Sequence, residues 1–134
     1  MIRSGAAPSV AGMPTESRKT LGRLGERLAA EHFERLGWEI LARNYQTRLG
    51  ELDLVAVDGD TLVFAEVKTC RLGRGEPWQS LHERKQVQVR RIAGLWFNEM
   101  RGRPFFERIR FDAIGILVDE RDALVRLDHI EDAF

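Results

Sequence analysis

Apolar positions recur along the chain with two different periods, and the changes of period divide it into elements. From about residue 20 to residue 36, Leu21, Leu24, Leu28, His32 and Leu36 fall at helical spacing, with Gly25, Ala29 and Phe33 beside them. This stripe predicts an amphipathic helix with Gly37 as its C-cap. Glu26 lies on the flank of the stripe, where its carboxylate can reach the rim of whatever the helix packs against. Residues 38–45 switch to alternation, with Trp38, Ile40 and Ala42 set against Glu39, Leu41 and Arg43, and predict a strand. Two β-rich runs then flank Asp58-Gly59-Asp60, a turn signal, so residues 50–69 read as a hairpin. After a glycine-punctuated loop over 71–77, Val89, Ile92, Ala93, Trp96 and Met100 return to helical spacing within a predicted helix over about 80–101. Pro104 breaks the chain before strands at 109–118 and 123–127, which are separated by the turn 119–122. The order α-β-β-β-α-β-β predicts one layered α/β domain, a mixed sheet with helices packed on it.

Composition narrows the picture. The 134 residues fit one domain, and 43% hydrophobic content is enough for one core. Residues 1–17, rich in Gly, Ala, Pro and Ser, read as a flexible tail without the apolar stretch of a signal peptide, leaving 18–134 as the domain. No apolar run approaches the ~20 residues of a membrane helix. Cys70 is the only cysteine, so no intrachain disulfide forms, and a reducing cytoplasm is the expected location. Lys+Arg 21 balance Asp+Glu 21, so any phosphate-binding surface has to be local.

The hairpin carries the candidate chemistry. Side chains alternate across a strand, so Glu51 and Asp53 share one face, as do Glu66 and Lys68. A two-residue loop at Gly59-Asp60 pairs 58 with 61 and sets Asp53 opposite Glu66 and Glu51 opposite Lys68. A loop at Asp58-Gly59 sets Glu51 opposite Glu66 instead. Both registers expect the four residues on one face, with opposed Cβ atoms about 5 Å apart. Carboxylates so close repel each other, and a divalent cation relieves the conflict. Hard oxygen ligands suit Mg²⁺ or Mn²⁺, with Asp53, Glu66 and Glu51 as expected ligands. Lys68 beside them can orient an attacking water or stabilise transition-state charge.

Several motifs beyond the hairpin point the same way. They are G-x-x-G-E (Gly22, Gly25, Glu26), L-A-R-N-Y (41–45), G-E-L-D-L-V-A (50–56) and L-V-F-A-E-V-K-T (62–69). Lys85-Gln86, R-F-D (110–112) and H-I-E-D-A-F (129–134) continue the series. In order and spacing these resemble the YraN-like family of small, functionally uncharacterised bacterial proteins. That family is similar to Holliday-junction resolvases and to the PD-(D/E)XK nucleases with a restriction-endonuclease-like fold. The resemblance implies a three-layer fold and a catalytic set of Glu26 as the helix acid, Asp53 as the motif Asp, and Glu66 and Lys68 as the E-x-K pair. Gly50-Glu51-Leu52-Asp53 stands where the superfamily has Pro-Asp, and Cys70 where the family often has Arg.

Between residues 71 and 110, ten basic residues face four acids, a local excess of +6 in a neutral chain. Arg71, Arg74, Arg84, Lys85 and Arg91 are the expected nucleic-acid contacts, running on from Lys68 and along the second helix. Trp78 either stacks on an unpaired base or covers the edge of the core. His32, His82 and His129 lack metal-ligand spacing and are expected to be structural or exposed. The leading expectation is a metal-dependent endonuclease acting on DNA, of branched or single-stranded form. The alternative is a non-catalytic nucleic-acid-binding or protein-interaction module on the same fold. Resolvase similarity makes a homodimer the natural assembly, and no membrane partner is expected.

Overall fold

The computed structural model describes residues 15–80, 83–100 and 106–133, with the side chains of 15–17, 79, 80 and 83–85 outside that description. Helix α1 (Thr15–Arg35) is followed by β1 (Glu39–Thr47), β2 (Gly50–Asp58) and β3 (Thr61–Arg71). A 3-10 turn (Pro77–Ser80) leads to α2 (Glu83–Glu99), then to β4 (Arg108–Val118) and β5 (Leu124–Ile130). The five strands form one sheet in the order β1-β2-β3-β4-β5. All neighbours are antiparallel except β3 and β4, which run parallel because α2 carries the chain across between them. One helix lies on each face, giving the expected three-layer, restriction-endonuclease-like α/β arrangement.

Each layer follows from its pattern. The α1 stripe buries Ala29, Ala30 and Phe33 against Leu54, Ala56, Val63, Ala65, Val67 and Ile114. On the other face Val89, Ile92, Ala93 and Trp96 of α2 meet Leu52, Val55, Leu62 and Phe64. Buried on both sides, β3 reads as an almost unbroken apolar run from Thr61 to Val67. Gly37, at φ 85°, closes α1 as expected. Its N–H donates to Glu34 O and that of Trp38 to Phe33 O, the paired bonds of a Schellman motif. Leu36 falls just past the helix and is 49% exposed, so it does not extend the buried stripe. The helix begins at Thr15, earlier than the expected residue 20, so the last residues of the expected tail are helical. Residues 1–14, Pro104 and His82 lie outside the described residues.

A polar chain ties β4 and β5 to α1. Fully buried Asp112 receives two bonds from Arg110, at 2.8 and 2.9 Å, and one from the Asp132 N–H at 3.1 Å. His129 Nε2 lies 2.8 Å from the same carboxylate, and His129 Nδ1 lies 3.0 Å from His32 Nε2 on α1. Phe33 and Trp38 pack their rings around His129. The two histidines are therefore structural, and they tie β5 to α1.

Candidate metal centre

The hairpin register is the one a two-residue Gly59-Asp60 loop requires, with Asp58 opposite Thr61. The paired ladder runs from there only to Leu54–Ala65. Past that point β2 and β3 part, and the Val67 N–H donates to Asp53 Oδ2 at 2.8 Å. β1 is irregular at the same level. Asn44 sits in the left-handed region at φ 51°, between Arg43 and Tyr45, whose partners are Leu54 and Leu52. Asn is among the few non-glycine residues that tolerate this conformation.

These irregularities correct the expectation that four side chains share one face. Leu54 faces α1, yet Leu52 packs with Val55 against α2, so strict alternation fails through Asp53. The carboxylates meet in the parting between strands rather than on the sheet surface. Glu26 reaches that parting from α1, and the reason is Gly25. A Cβ at residue 25 would lie 1.7 Å from Thr69 Oγ1 and 2.9 Å from Thr69 Cβ. Only glycine lets α1 come this close to β3, and the next residue is the acid.

The result is a cluster in which carboxylate oxygens of Glu26, Glu51 and Asp53 all lie within 4.8 Å of one another. Asp53 is 9% exposed and its pKa is pushed well above the ordinary carboxyl range, first by burial, then by the neighbouring Glu66 charge. Glu26 is pushed up to about 7, chiefly by burial, with Arg23 pulling it down and Glu51 pushing it further up. Glu66 is 2% exposed, and its Oε1 lies 3.4 Å from Lys68 Nζ. The acids expected as ligands are thus brought together, with one change of rank. Glu26 joins Asp53 and Glu51 in the tight cluster, while Glu66 stands beside it with Lys68. The donor set is all hard oxygen and carries more negative charge than a half-buried site holds unaided, which fits a Mg²⁺- or Mn²⁺-sized cation.

Two contributors escaped the sequence reading. Arg23, one turn before Glu26, donates to Glu26 at 3.0 Å, to Glu51 at 3.1 Å and to Asn44 Oδ1. Its i, i+3 spacing to Glu26 was the available signal. Gln46, the register partner of Glu51, donates to it at 2.6 Å.

The expected phosphate contacts divide. Arg71 donates to Asp119 O and pairs with Asp122, both at 2.8 Å, so it braces the β4–β5 turn instead of facing a ligand. Arg74 is exposed on the loop after β3. Arg91 lines a groove of about 570 Å³ with Leu49, Val87 and Gln88, next to the β1–β2 turn. Arg84 and Lys85 fall on α2, but their side chains lie outside the description. Trp78 lies on the sheet: a Cβ at Gly115 would be 2.6 Å from its ring, so the indole covers β4. Cys70 is half-buried, and burial pushes its thiol pKa up, which makes it a poor nucleophile. Among the described residues no helix is long and apolar enough to cross a membrane.

A three-layer α/β sheet with acids gathered where two central strands part defines a protein of endonuclease-like architecture. Comparison with known proteins gives its family. The model of the uncharacterised protein family UPF0102 matches residues 25–116, and the chain belongs to this YraN-like family. It is similar to the UPF0102 protein of Acidothermus cellulolyticus, with 42% identity over 127 residues, covering 88% of this chain and 96% of the relative. The UPF0102 protein of Pelotomaculum thermopropionicum is 44% identical over 121 residues, covering 89% of this chain and 98% of the relative. That of Dictyoglomus thermophilum is 35% identical over 119 residues, covering 88% and 99%.

Proposed function

We propose that the protein is a metal-dependent phosphodiesterase of the PD-(D/E)XK type acting on DNA. The observation that carries this reading is the convergence of Glu26, Glu51 and Asp53, oxygens within 4.8 Å, beside the Glu66–Lys68 pair. Glu26, Glu51 and Asp53 would hold Mg²⁺ or Mn²⁺, with Glu66 at the margin. When bound, the ion supplies Lewis-acid polarisation of a phosphoryl oxygen and a more acidic coordinated water. The Val67 N–H fixes the orientation of the Asp53 carboxylate. Lys68, 25% exposed and paired with Glu66, would orient the attacking water and stabilise charge on the phosphorane-like transition state. Arg91 and Gln88 border a groove beside Leu49, two residues from Glu51, where a substrate backbone would be positioned without being read for sequence.

The test is cleavage of duplex, branched and single-stranded DNA with Mg²⁺ or Mn²⁺. Asp53→Ala or Lys68→Ala is expected to abolish cleavage without unfolding the protein. Wild-type protein that cuts no better than Asp53→Ala/Lys68→Ala refutes the reading.

One observation favours a second reading, a non-catalytic nucleic-acid-binding or protein-interaction module. Arg23 already neutralises part of the acid cluster. That reading expects salt-dependent binding, no Mn²⁺ uptake, and little effect of Lys68→Ala on affinity.

A further inference from the structure

The carboxylates of the candidate centre already hold a cation, and it belongs to the chain. One atom, Arg23 Nη1, lies 3.0 and 3.4 Å from the two Glu26 oxygens and 3.1 Å from Glu51 Oε1, and also donates to Asn44 Oδ1. A single nitrogen therefore gathers acceptors from α1, β1 and β2. Two of the three residues it gathers belong to the tight carboxylate cluster.

Burial gives the arrangement a direction. The Arg23 side chain is 49% exposed, whereas Glu26 is 13% and Glu51 28% exposed. The guanidinium thus stands at the mouth with the acids behind it. It reaches inward from the solvent side of α1, so it can swing out by side-chain rotation while the helix stays in place. Ion pairs this exposed are weak, and little is lost on releasing one. A divalent ion on the same oxygens and a guanidinium bonded to them would repel each other, so the two states exclude one another.

Resting on the metal-dependent reading above, we propose that Arg23 is a resident counter-cation that closes the centre and is exchanged for the divalent ion. Arg23 then sets how much free metal is needed to fill the site. It is a positioning residue, acting through Glu26 and Glu51.

The experiment is Mn²⁺ binding by calorimetry, checked by the spin-resonance signal of free Mn²⁺, on full-length protein. Arg23→Gln, which loses the charge, is expected to bind Mn²⁺ several-fold more tightly than wild type, the size that weak, exposed ion pairs allow. Arg23→Lys, which keeps the charge, is expected to stay near wild type. Arg27→Gln, which removes an exposed charge one turn away, should change affinity little. Equal affinity of wild type and Arg23→Gln, with binding lost in Asp53→Asn, overturns the exchange and leaves the metal reading standing. A gain in Arg27→Gln as large as in Arg23→Gln also overturns it, since the effect is then general charge. Uptake by none of the forms overturns both proposals. In the unmodified protein, a Mg²⁺ titration should shift the Arg23 Nε–H resonance, and a signal that stays fixed while metal binds refutes the swing.

Discussion

Substituting Gly25 by alanine tests the central geometric claim, that α1 must touch β3 to deliver Glu26. The added Cβ would meet Thr69 Oγ1 at 1.7 Å, Cβ at 2.9 Å and Cγ2 at 3.1 Å. Rotating the Thr69 side chain moves the hydroxyl but not its Cβ, so the helix still has to retreat. Overpacking of this kind costs about 1–3 kcal/mol. Replacing a helical glycine returns about 1 kcal/mol of helix propensity, leaving a net loss of up to about 2 kcal/mol. For a domain of this size that is a fall in Tm of up to roughly 10 °C. Retreat also draws Glu26 away from Asp53 and Glu51, so Mn²⁺ affinity should drop by about tenfold or more. Adding Thr69→Ala in the same chain removes Oγ1 and Cγ2 but keeps the Cβ at 2.9 Å, so it should restore part of both losses and not all. The assays are thermal denaturation and Mn²⁺ titration of wild type, Gly25→Ala and the double variant. A Gly25→Ala protein that melts higher than wild type and binds Mn²⁺ equally well would refute the reasoning, because helix propensity would then be the whole effect.

Other expectations follow from the charges. Glu26, with an ordinary value of 4.5, is raised to about 7 in the fold, chiefly by burial, and Asp53 is raised in the same sense. For Glu26 the folded protein therefore holds an extra proton, whose stabilising contribution is full below pH 4.5 and lost as pH rises through about 7, and Asp53 acts in the same direction. Metal-free melting temperatures should fall across that interval, and Glu26→Gln should flatten the profile. Asp112 behaves oppositely: burial would raise it, but His129, Arg110 and the Asp132 N–H outweigh burial and hold it below the ordinary 3.8. Its contribution is present above that value and lost in stronger acid. Asp112→Ala should cost about 3 kcal/mol or more in urea denaturation, since Arg110 and His129 lose their partner. Arg71→Ala should lower stability by about 1 kcal/mol without weakening DNA retention on a salt gradient, whereas Arg91→Ala should weaken retention and leave stability unchanged.

The sequence reading narrowed the hairpin to two registers, one of them the observed pairing of Asp58 with Thr61, because register depends on local turn chemistry and Asp58-Gly59-Asp60 leaves few ways to pair the flanking strands. It reached both helices because their apolar stripes repeat at 3.6 residues. Through motif order it singled out Glu26 and Asp53, and through strand alternation it added Glu51, the three acids whose oxygens converge. What it missed is non-local. Alternation gave no warning that β2 and β3 part beyond Leu54 and Ala65, since nothing in the residue types marks where a ladder ends. Asn44 looked like an ordinary strand residue, and only the backbone shows its left-handed turn. Gly25 passed as a small member of an apolar stripe, because its purpose depends on Thr69, 44 positions further along. Arg71 was assigned to a ligand from local charge, whereas its partners Asp119 and Asp122 come from a distant turn. The buried run joining His32, His129 and Asp112 combines three segments that no spacing rule connects.

The indole of Trp78 lies on the bare backbone of Gly115, and Gly115 is the register partner of Lys68. Paired residues on adjacent strands present the same side, so this ring stands beside the lysine of the candidate centre. Trp38 and Trp96 are almost wholly enclosed, while Trp78 is the most exposed of the three. Its emission should therefore be the red-shifted, quencher-accessible part of the protein's intrinsic fluorescence. A change in that emission on adding Mn²⁺ would report occupancy of the neighbouring centre without any dye.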